Sequence, residues 1–193
     1  MKFDIIHQES YSRGQLLLRA FFGWLYICIP HMFCLIFIGM ASGILQFITF
    51  WIILFTGKFP VDFFNFQVKV LRWQTRVNAS ILNLMDPYPE FGLESMQEGI
   101  TLDIPYQDDI SRSDVLIRGL FGVLYVGIPH IFCLIFRGIA SDILIFISFW
   151  AVLFTGKYPS SWHKFNVGTL RWGIRVNAYL AYLTHEYPPF SGK

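Results

Sequence analysis

Two histidines and two cysteines are the residues of this sequence whose chemistry and spacing suggest a site. His31 and His130 lie 99 residues apart, and each is followed three residues later by a cysteine, Cys34 or Cys133. Two facing histidines can ligate a haem, and histidine with cysteine can hold zinc or copper. In the alternative, structural reading, a neutral imidazole bonds a backbone carbonyl that the preceding proline leaves free. We expect the structural role, with no cofactor and no metal, because no carboxylate or third ligand accompanies the pair.

The spacing of the histidines follows from an internal repeat. When the chain is shifted by 99 residues, its halves align without a gap and roughly half of the aligned positions are identical, too many for shared hydrophobicity alone. We therefore place the first repeat at residues 1–91, a polar linker at 92–99 and the second repeat at 100–193.

The composition favours an integral membrane protein and argues against several other classes. Hydrophobic residues make up 54% of the 193 residues and charged residues only 15%, against about a quarter in soluble domains. A net charge of +2 argues against nucleic-acid binding. The three cysteines all lie in apolar stretches and do not suggest a disulfide framework. The sequence contains no phosphate-binding loop, nucleophile elbow or zinc-protease helix, so we predict no enzyme activity.

The apolar runs predict a hairpin of two membrane-spanning helices in each repeat. Residues 20–57 carry no charge, and this run is about twice the length that one crossing needs. In the second repeat Arg137 and Asp142 fall at the middle of the run. Because a charge at a helix centre costs about 2.5–3.5 kcal/mol, we expect the middle to form a turn at the far membrane surface. Gly39 and Gly43 suit that turn. The predicted hairpins are residues 15–57 and 114–156, which gives four transmembrane helices in an all-α membrane fold.

An amphipathic helix is predicted after each hairpin, at about residues 61–85 and 160–184. Cations on one face fit a helix lying in the membrane interface better than a third crossing. Trp73 and Trp172 lie on the apolar stripes, where we predict that they anchor the helices at the interface. The basic residues form a belt for which we predict binding to anionic lipid headgroups or to a protein partner. They are Lys58, Arg72, Arg76, Lys157, Arg171 and Arg175.

The basic residues also predict an orientation in the membrane. Nearly all of them lie on one side of the predicted hairpins, and the positive-inside bias then places both termini and both amphipathic helices in the cytoplasm, at the inner membrane. Two crossings in each repeat give the repeats the same direction. We therefore expect parallel repeats related by a pseudo-two-fold axis along the membrane normal.

Four motifs of the second repeat resemble those of a family of small prokaryotic membrane domains, the domain of unknown function 4389. They are Ile-Pro-His at 128–130, Leu-Phe-Thr-Gly-Lys-Tyr-Pro at 153–159, the run from Phe165 to Tyr179 and Tyr-Pro-Pro-Phe at 187–190. The first repeat departs from this pattern at Phe59, Gln67, Lys69 and Glu90. The resemblance implies a bacterial or archaeal source and a membrane fold. It implies no established reaction, cofactor or catalytic residue.

Three classes of function remain open from the sequence. We favour a non-enzymatic scaffold or accessory subunit that packs in a larger membrane complex or in a homo-oligomer, because the chain has many aromatic residues and little mass outside its apolar runs. The second class is a lipid-binding or membrane-shaping protein that uses the amphipathic helices as wedges in the cytoplasmic leaflet. The third is a minimal channel or transporter, which the few polar residues of the apolar runs make the weakest.

Overall fold

A computed structural model of the chain describes residues 1–107 and 109–193. Both repeats fold alike, into a short strand, a long helix interrupted by one π-helical turn, and a second helix. In the first repeat these are β1 (Lys2–Ile5), α1 (Arg13–Gly23), a π turn (Trp24–Cys28), α2 (Ile29–Thr56) and α3 (Val61–Ile81). In the second they are β2 (Ile100–Asp103), α4 (Arg112–Gly122), a π turn (Val123–Gly127), α5 (Ile128–Thr155) and α6 (Ser160–Leu180).

The predicted hairpins are wrong, because the helix continues through the expected turn. α1, the π turn and α2 form one long helix of 44 residues, Arg13–Thr56, about 66 Å long at 1.5 Å per residue. Gly39 and Gly43 remain helical. The middle of α2 is fixed from the side, since the Ser42 hydroxyl donates to Gln67 Oε1 of α3 at 2.5 Å. The helix ends at Gly57, whose positive φ of 75° ends helices readily because glycine has no Cβ.

The charges that predicted a turn in the second repeat lie at the middle of a second long helix, Arg112–Thr155. Arg137 folds onto α6, where Nε donates to Thr169 Oγ1 at 3.0 Å and the guanidinium stacks 4.3 Å from the Phe165 ring centre. Asp142 is exposed. Arg137 therefore lies in a contact with α6 and does not mark a loop at the membrane surface.

The two long helices run antiparallel, with contacts at both ends. The start of the first meets the end of the second, where the Tyr11 amide donates to the Gly156 carbonyl at 2.8 Å. The opposite end repeats this contact, with Ile110 N–H donating to the Gly57 carbonyl at 2.9 Å. The repeats are thus related by a pseudo-two-fold axis that crosses the long helices at mid-length. This direction differs from the parallel repeats that the hairpins predicted.

The two strands make a second contact between the repeats, which also lies on the pseudo-two-fold axis. β1 and β2 pair antiparallel with Phe3 opposite Leu102, and these two positions correspond in the two repeats. Each strand packs against the other repeat, because Arg171 Nε of α6 donates to the Phe3 carbonyl at 3.1 Å. In the same way Arg72 Nε of α3 donates to the Leu102 carbonyl at 3.0 Å. The order of layers is therefore the long helices, then α3 and α6, then the ladder with its loops.

The long helices expose most of their apolar side chains. Only 6% and 11% of their most apolar segments are buried, whereas the core helix of a soluble protein would be mostly buried. The exposed side chains run along the whole length, from Phe21 at 66% through Phe37 at 54% to Phe55 at 71%. By length and composition both helices could cross a membrane, in agreement with the apolar runs of the sequence.

Candidate functional site

The two histidines lie in equivalent buried clusters. Trp73 Nε1 donates to His31 Nδ1 at 2.9 Å, and Trp172 Nε1 donates to His130 Nδ1 at 2.8 Å. Both histidines are 0% exposed. Because an indole N–H can only donate, Nδ1 must be the unprotonated acceptor, and the proton of each neutral ring lies on Nε2. The tryptophans are themselves buried, at 3% and 5% exposed, and they hold the histidines rather than projecting towards a surface.

Aromatic side chains from the segment after α3 or α6 complete each cluster. Phe91 stacks on His31 with ring centres 3.8 Å apart and planes 12° from parallel, and Tyr88 lies at 5.4 Å. Phe190 and Tyr187 repeat this arrangement on His130 at 4.0 and 5.5 Å. We call these clusters the first cage (His31, Trp73, Tyr88, Phe91) and the second cage (His130, Trp172, Tyr187, Phe190).

The tyrosine of each cage bonds a carbonyl that proline leaves free. Pro30 has no N–H for the carbonyl of Tyr26, four residues earlier, and its ring would clash with that carbonyl in a regular helix. The π turn widens the helix there, since the Ile29 amide donates to the Trp24 carbonyl. The Tyr88 hydroxyl then donates to the Tyr26 carbonyl at 3.0 Å. In the second repeat the Tyr187 hydroxyl donates to the Tyr125 carbonyl at 3.3 Å. The sequence pointed to the freed carbonyl, but assigned it to the histidine.

The cages keep the histidines apart rather than facing each other. Each histidine is enclosed by aromatic residues of its own repeat. Nε2 of each histidine is buried without a hydrogen-bond partner among the described residues. Cys34 and Cys133 are free thiols that pack among apolar side chains at the cage edges. A haem held between the two histidines therefore has no support in this geometry, and the absence of a cofactor stays a prediction.

The arginines of the predicted belt bind the protein's own backbone. Arg72 and Arg171 bond the strands as described, and Arg76 is only 2% exposed. Arg76 donates to the carbonyls of Glu90, Gly92 and Ser95, which holds the segment after α3 over the helix. Arg175 donates to the Lys193 carbonyl. Lys58 and Lys157 are exposed just beyond the ends of the long helices. Of the belt, these two lysines are the cations that remain open to another molecule.

A pair of buried arginines was missed by the sequence analysis. Arg19, 7% exposed, donates from Nη1 to the carbonyls of Ser80 and Met85, and Nη2 pairs with Asp86 at 3.2 Å. Arg118 makes the equivalent bonds in the second repeat. A cation at the C-terminal end of α3 or α6 is favourable because the last carbonyls of a helix lack partners. The repetition of this arginine at equal positions was the available signal.

A groove lies on the pseudo-two-fold axis between α3 and α6. Gln74, Asn78 and Asn177 line it. Gln74 and Asn78 also line an adjoining groove of about 310 Å³ with Met32 and Ile36 of the first long helix. Both asparagines are exposed. The amides thus open among the exposed apolar side chains, on the side of α3 away from Arg76.

Comparison with known families explains why the cage motifs repeat. A family described as domain of unknown function (DUF4389) matches residues 15–92 and again residues 112–192. Each matched stretch contains a complete cage, from the proline of the long helix to the stacked phenylalanine. No curated protein and no solved structure matches the chain. The chain belongs to the DUF4389 family and carries two tandem copies of its domain.

Proposed function

We propose that the protein is a non-enzymatic membrane scaffold that lies flat in one leaflet. Both long helices are parallel to the membrane plane, with their exposed apolar side chains among the acyl chains. The layer of α3, α6 and the strands faces the cytoplasm at the inner membrane. The observation that carries this proposal is the position of a charged ladder at mid-length of two long helices that expose apolar side chains over nearly their whole length.

The length of the helices argues against a simple crossing. A hydrocarbon core of about 30 Å is less than half of the roughly 66 Å of each long helix. Exposed apolar side chains continue over nearly all of that length, from Leu17 to Phe55. A helix lying in the plane buries the whole apolar stretch at one depth, whereas an upright helix leaves much of it in water.

The symmetry gives a second, independent argument. The pseudo-two-fold axis crosses the long helices at mid-length, and the β1–β2 ladder lies on that axis. If the long helices spanned the bilayer, the ladder would therefore lie near the bilayer centre. Lys2, Asp4 and Asp103 of the ladder are exposed, and each would cost about 2.5–3.5 kcal/mol there. In the flat orientation the same residues lie in water.

A flat position offers two working surfaces. Insertion into one leaflet only expands that leaflet, which is how interfacial helices shape membranes. The outward layer presents charged loops to soluble or membrane partners. The groove with Asn78 and Asn177 opens among the inserted side chains, where it fits a lipid group that can hydrogen-bond to amides.

Depth measurements with spin labels test the orientation. In a variant without its native cysteines, labels are placed singly at Phe21, Phe37 and Phe55, which are separated by about 24 and 27 Å along the first long helix. A fourth label replaces Asp103 of the ladder. Accessibility to oxygen, which concentrates in the bilayer, is compared with accessibility to a water-soluble nickel complex.

The flat orientation gives similar depths at the three phenylalanine positions, with the label at Asp103 open to the nickel complex. A spanning orientation gives the opposite result. The label at Phe37 would then be the deepest, those at Phe21 and Phe55 would be near opposite surfaces, and the label at Asp103 would be shielded from nickel. That second pattern would refute the proposal.

A further inference from the structure

A cavity of about 420 Å³ lies in the outer layer, where the N-terminal segment of the first repeat covers α6 of the second. It lies between β1, α6 and the last residues of the chain. Its ionisable side chains are Asp4, His7, His163, Lys164, Arg171 and Lys193. None of the residues in the cages or the groove contributes to it.

Two histidines form one wall of this cavity. The rings of His7 and His163 meet edge to face, with centres 4.9 Å apart. His7 Nε2 donates to the Tyr158 carbonyl at 2.7 Å, and His163 Nε2 donates to the Leu84 carbonyl at 3.2 Å. Since a carbonyl only accepts, the Nε2 atoms carry protons, and each Nδ1 gains a proton only when its ring becomes a cation.

The other charges leave the cavity positive. Arg171 pairs with Asp4 at 3.4 Å, so these two residues largely offset each other. Lys164 and Lys193 are exposed and form no ion pair with any residue in the described ranges. The cavity is therefore lined by two lysines without an ion-pair partner among the described residues and by two histidines.

The equivalent place on the other side of the axis has aromatic rings instead of the two histidines. Phe64 of α3 and Tyr106 of the second repeat occupy the positions equivalent to His163 of α6 and His7 of the first repeat, and their rings also meet edge to face, with centres 5.2 Å apart. Asn65 takes the position of Lys164. The histidine pair and Lys164 are therefore found beside α6 and have no counterpart beside α3.

We propose that this cavity binds an anionic group, such as a phosphate, sulfate or carboxylate, carried by a soluble molecule or by a lipid headgroup. The lysines attract the anion, and protonation of His163 strengthens its binding. The proposal does not depend on the flat orientation, since the cavity is built from the outer layer.

Proton uptake and anion binding are coupled at His163. Burial lowers the pKa of His163, so the ring is neutral in the empty cavity near neutral pH. An anion nearby favours the charged ring, and binding must therefore strengthen as the pH falls. The groups that face His163 from the elements around it are Asp4, His7, Tyr11, Tyr158, Lys164, Arg171 and Lys193. Of these, Asp4 is the anion, and it is already paired.

Sulfate is a suitable probe because its charge is constant between about pH 5.5 and 7.5, where histidine titrates. The full chain in neutral detergent is titrated by calorimetry at fixed ionic strength. We expect saturable binding that is tighter at the lower pH. Lys164→Asn, which copies the first repeat, should weaken binding about five-fold, the size of one partly screened charge pair.

Two further variants keep the test decisive. His163→Phe combined with His7→Tyr copies the aromatic pair of the first repeat, and should remove the pH dependence of binding. Lys69→Asn removes a lysine that does not line the cavity and already pairs with Glu94, and it should leave binding unchanged. Binding that is unsaturable, or equal in all these proteins, would overturn the proposal. If the double variant fails to fold, Lys164→Asn at an exposed position still decides the outcome.

The source of the anion is decided in nanodiscs. In discs of neutral lipid, sulfate should bind as it does in detergent. If a lipid headgroup is the natural occupant, anionic lipid should displace sulfate from the parent protein. If the occupant is a soluble molecule, sulfate affinity should be the same in neutral and anionic discs. Loss of sulfate binding in neutral discs would contradict the proposal.

Discussion

The two repeats share one feature closely and differ sharply in another. Both build a histidine cage with the same hydrogen bond, 2.9 Å in one and 2.8 Å in the other. Where the segment after the strand of one repeat meets the second helix of the other, α3 contributes to an aromatic pair, Phe64 with Tyr106, and α6 to a histidine pair, His163 with His7. The cages are internal to each repeat, whereas the differing pairs lie where one repeat covers the other.

The difference separates residues that fold the chain from residues that the fold merely accommodates. Tyr106 donates to the Phe59 carbonyl at 2.5 Å, and His7 makes the equivalent bond to Tyr158 at 2.7 Å. The two pairs therefore fill the same space and make the same backbone bond. Only the second can take up protons. The fold is therefore packed equally well at this position by a pair that does not titrate near neutral pH, and the histidines add the ability to bind protons.

Loss of a cage tryptophan should have the largest effect and should be equal in both repeats. Trp73→Ala or Trp172→Ala removes a buried ring and its bond to the histidine, so each should lower the free energy of unfolding by about 3–5 kcal/mol. Denaturant unfolding in detergent measures this. Trp24→Ala, at a 63% exposed position, is the control and should cost far less. Tolerance of either cage variant would show that the repeats are not equivalent.

A smaller effect should follow from removing a cage hydroxyl. Tyr88→Phe leaves the Tyr26 carbonyl without its partner and should cost about 1–3 kcal/mol. A double-mutant cycle with Pro30→Ala identifies the cause, because an alanine N–H can bond that carbonyl itself. Tyr88→Phe should then cost less in the Pro30→Ala protein than in the parent. Equal costs in both backgrounds would mean that the hydroxyl acts through other contacts.

The pH dependence of stability should distinguish the two differing pairs. Burial lowers the pKa of His163 below its unfolded value of about 6.5. The unfolded chain then binds more protons than the folded chain, so stability falls as the pH drops below about 6.5, by at most about 1.4 kcal/mol per pH unit. His163→Phe should reduce this loss when thermal unfolding is followed between about pH 5 and 8.

The reciprocal change sharpens the same comparison. Phe64→His in the first repeat should introduce a second loss of stability at low pH, because the imidazole would occupy an equally buried position. His163→Phe with Phe64→His together should restore a dependence close to that of the parent. A His163→Phe protein that remains as acid-sensitive as the parent would assign the effect to other groups.

Three features could be predicted from the sequence because each rests on many residues. They are the repeat, the residues at which α3 and α6 begin, and the family. The sequence did not predict whether the chain turns back within each apolar run or continues as one helix. An uncharged run fixes a length, and both a hairpin and one continuous helix satisfy it. The better signal was the stripe of buried His31, half-buried Ser42 and buried Thr49, which stay on one helix face through the expected turn.

The site was predicted in part for a related reason. Histidine, tryptophan and the Tyr-Pro-x-Phe motif were each visible, but their contact depends on how α3 packs along the long helix. Arg72 and Arg76 have the spacing of a solvated basic face. They are covered only because β2 and the segment after α3 fold over them. The histidine pair joins residues 156 positions apart across the repeats, so local spacing carried no trace of it.

The smallest expected effect concerns the two lysines of the basic belt, which remain exposed. Lys58 and Lys157 follow the exposed Phe55 and Phe154 at opposite ends of the molecule, so in the flat orientation both reach the headgroups. Each basic residue near an anionic surface contributes about 1 kcal/mol, so Lys58→Gln and Lys157→Gln should each weaken anionic-lipid binding about five-fold. Native mass spectrometry with titrated phosphatidylglycerol measures this, and the two variants should match, because the axis makes the ends equivalent. Lys69→Gln is the control, since that lysine pairs with Glu94 in the outer layer at 2.5 Å and should have little effect. If only one end responded, the molecule would be tilted, and the pseudo-two-fold axis could not lie along the membrane normal.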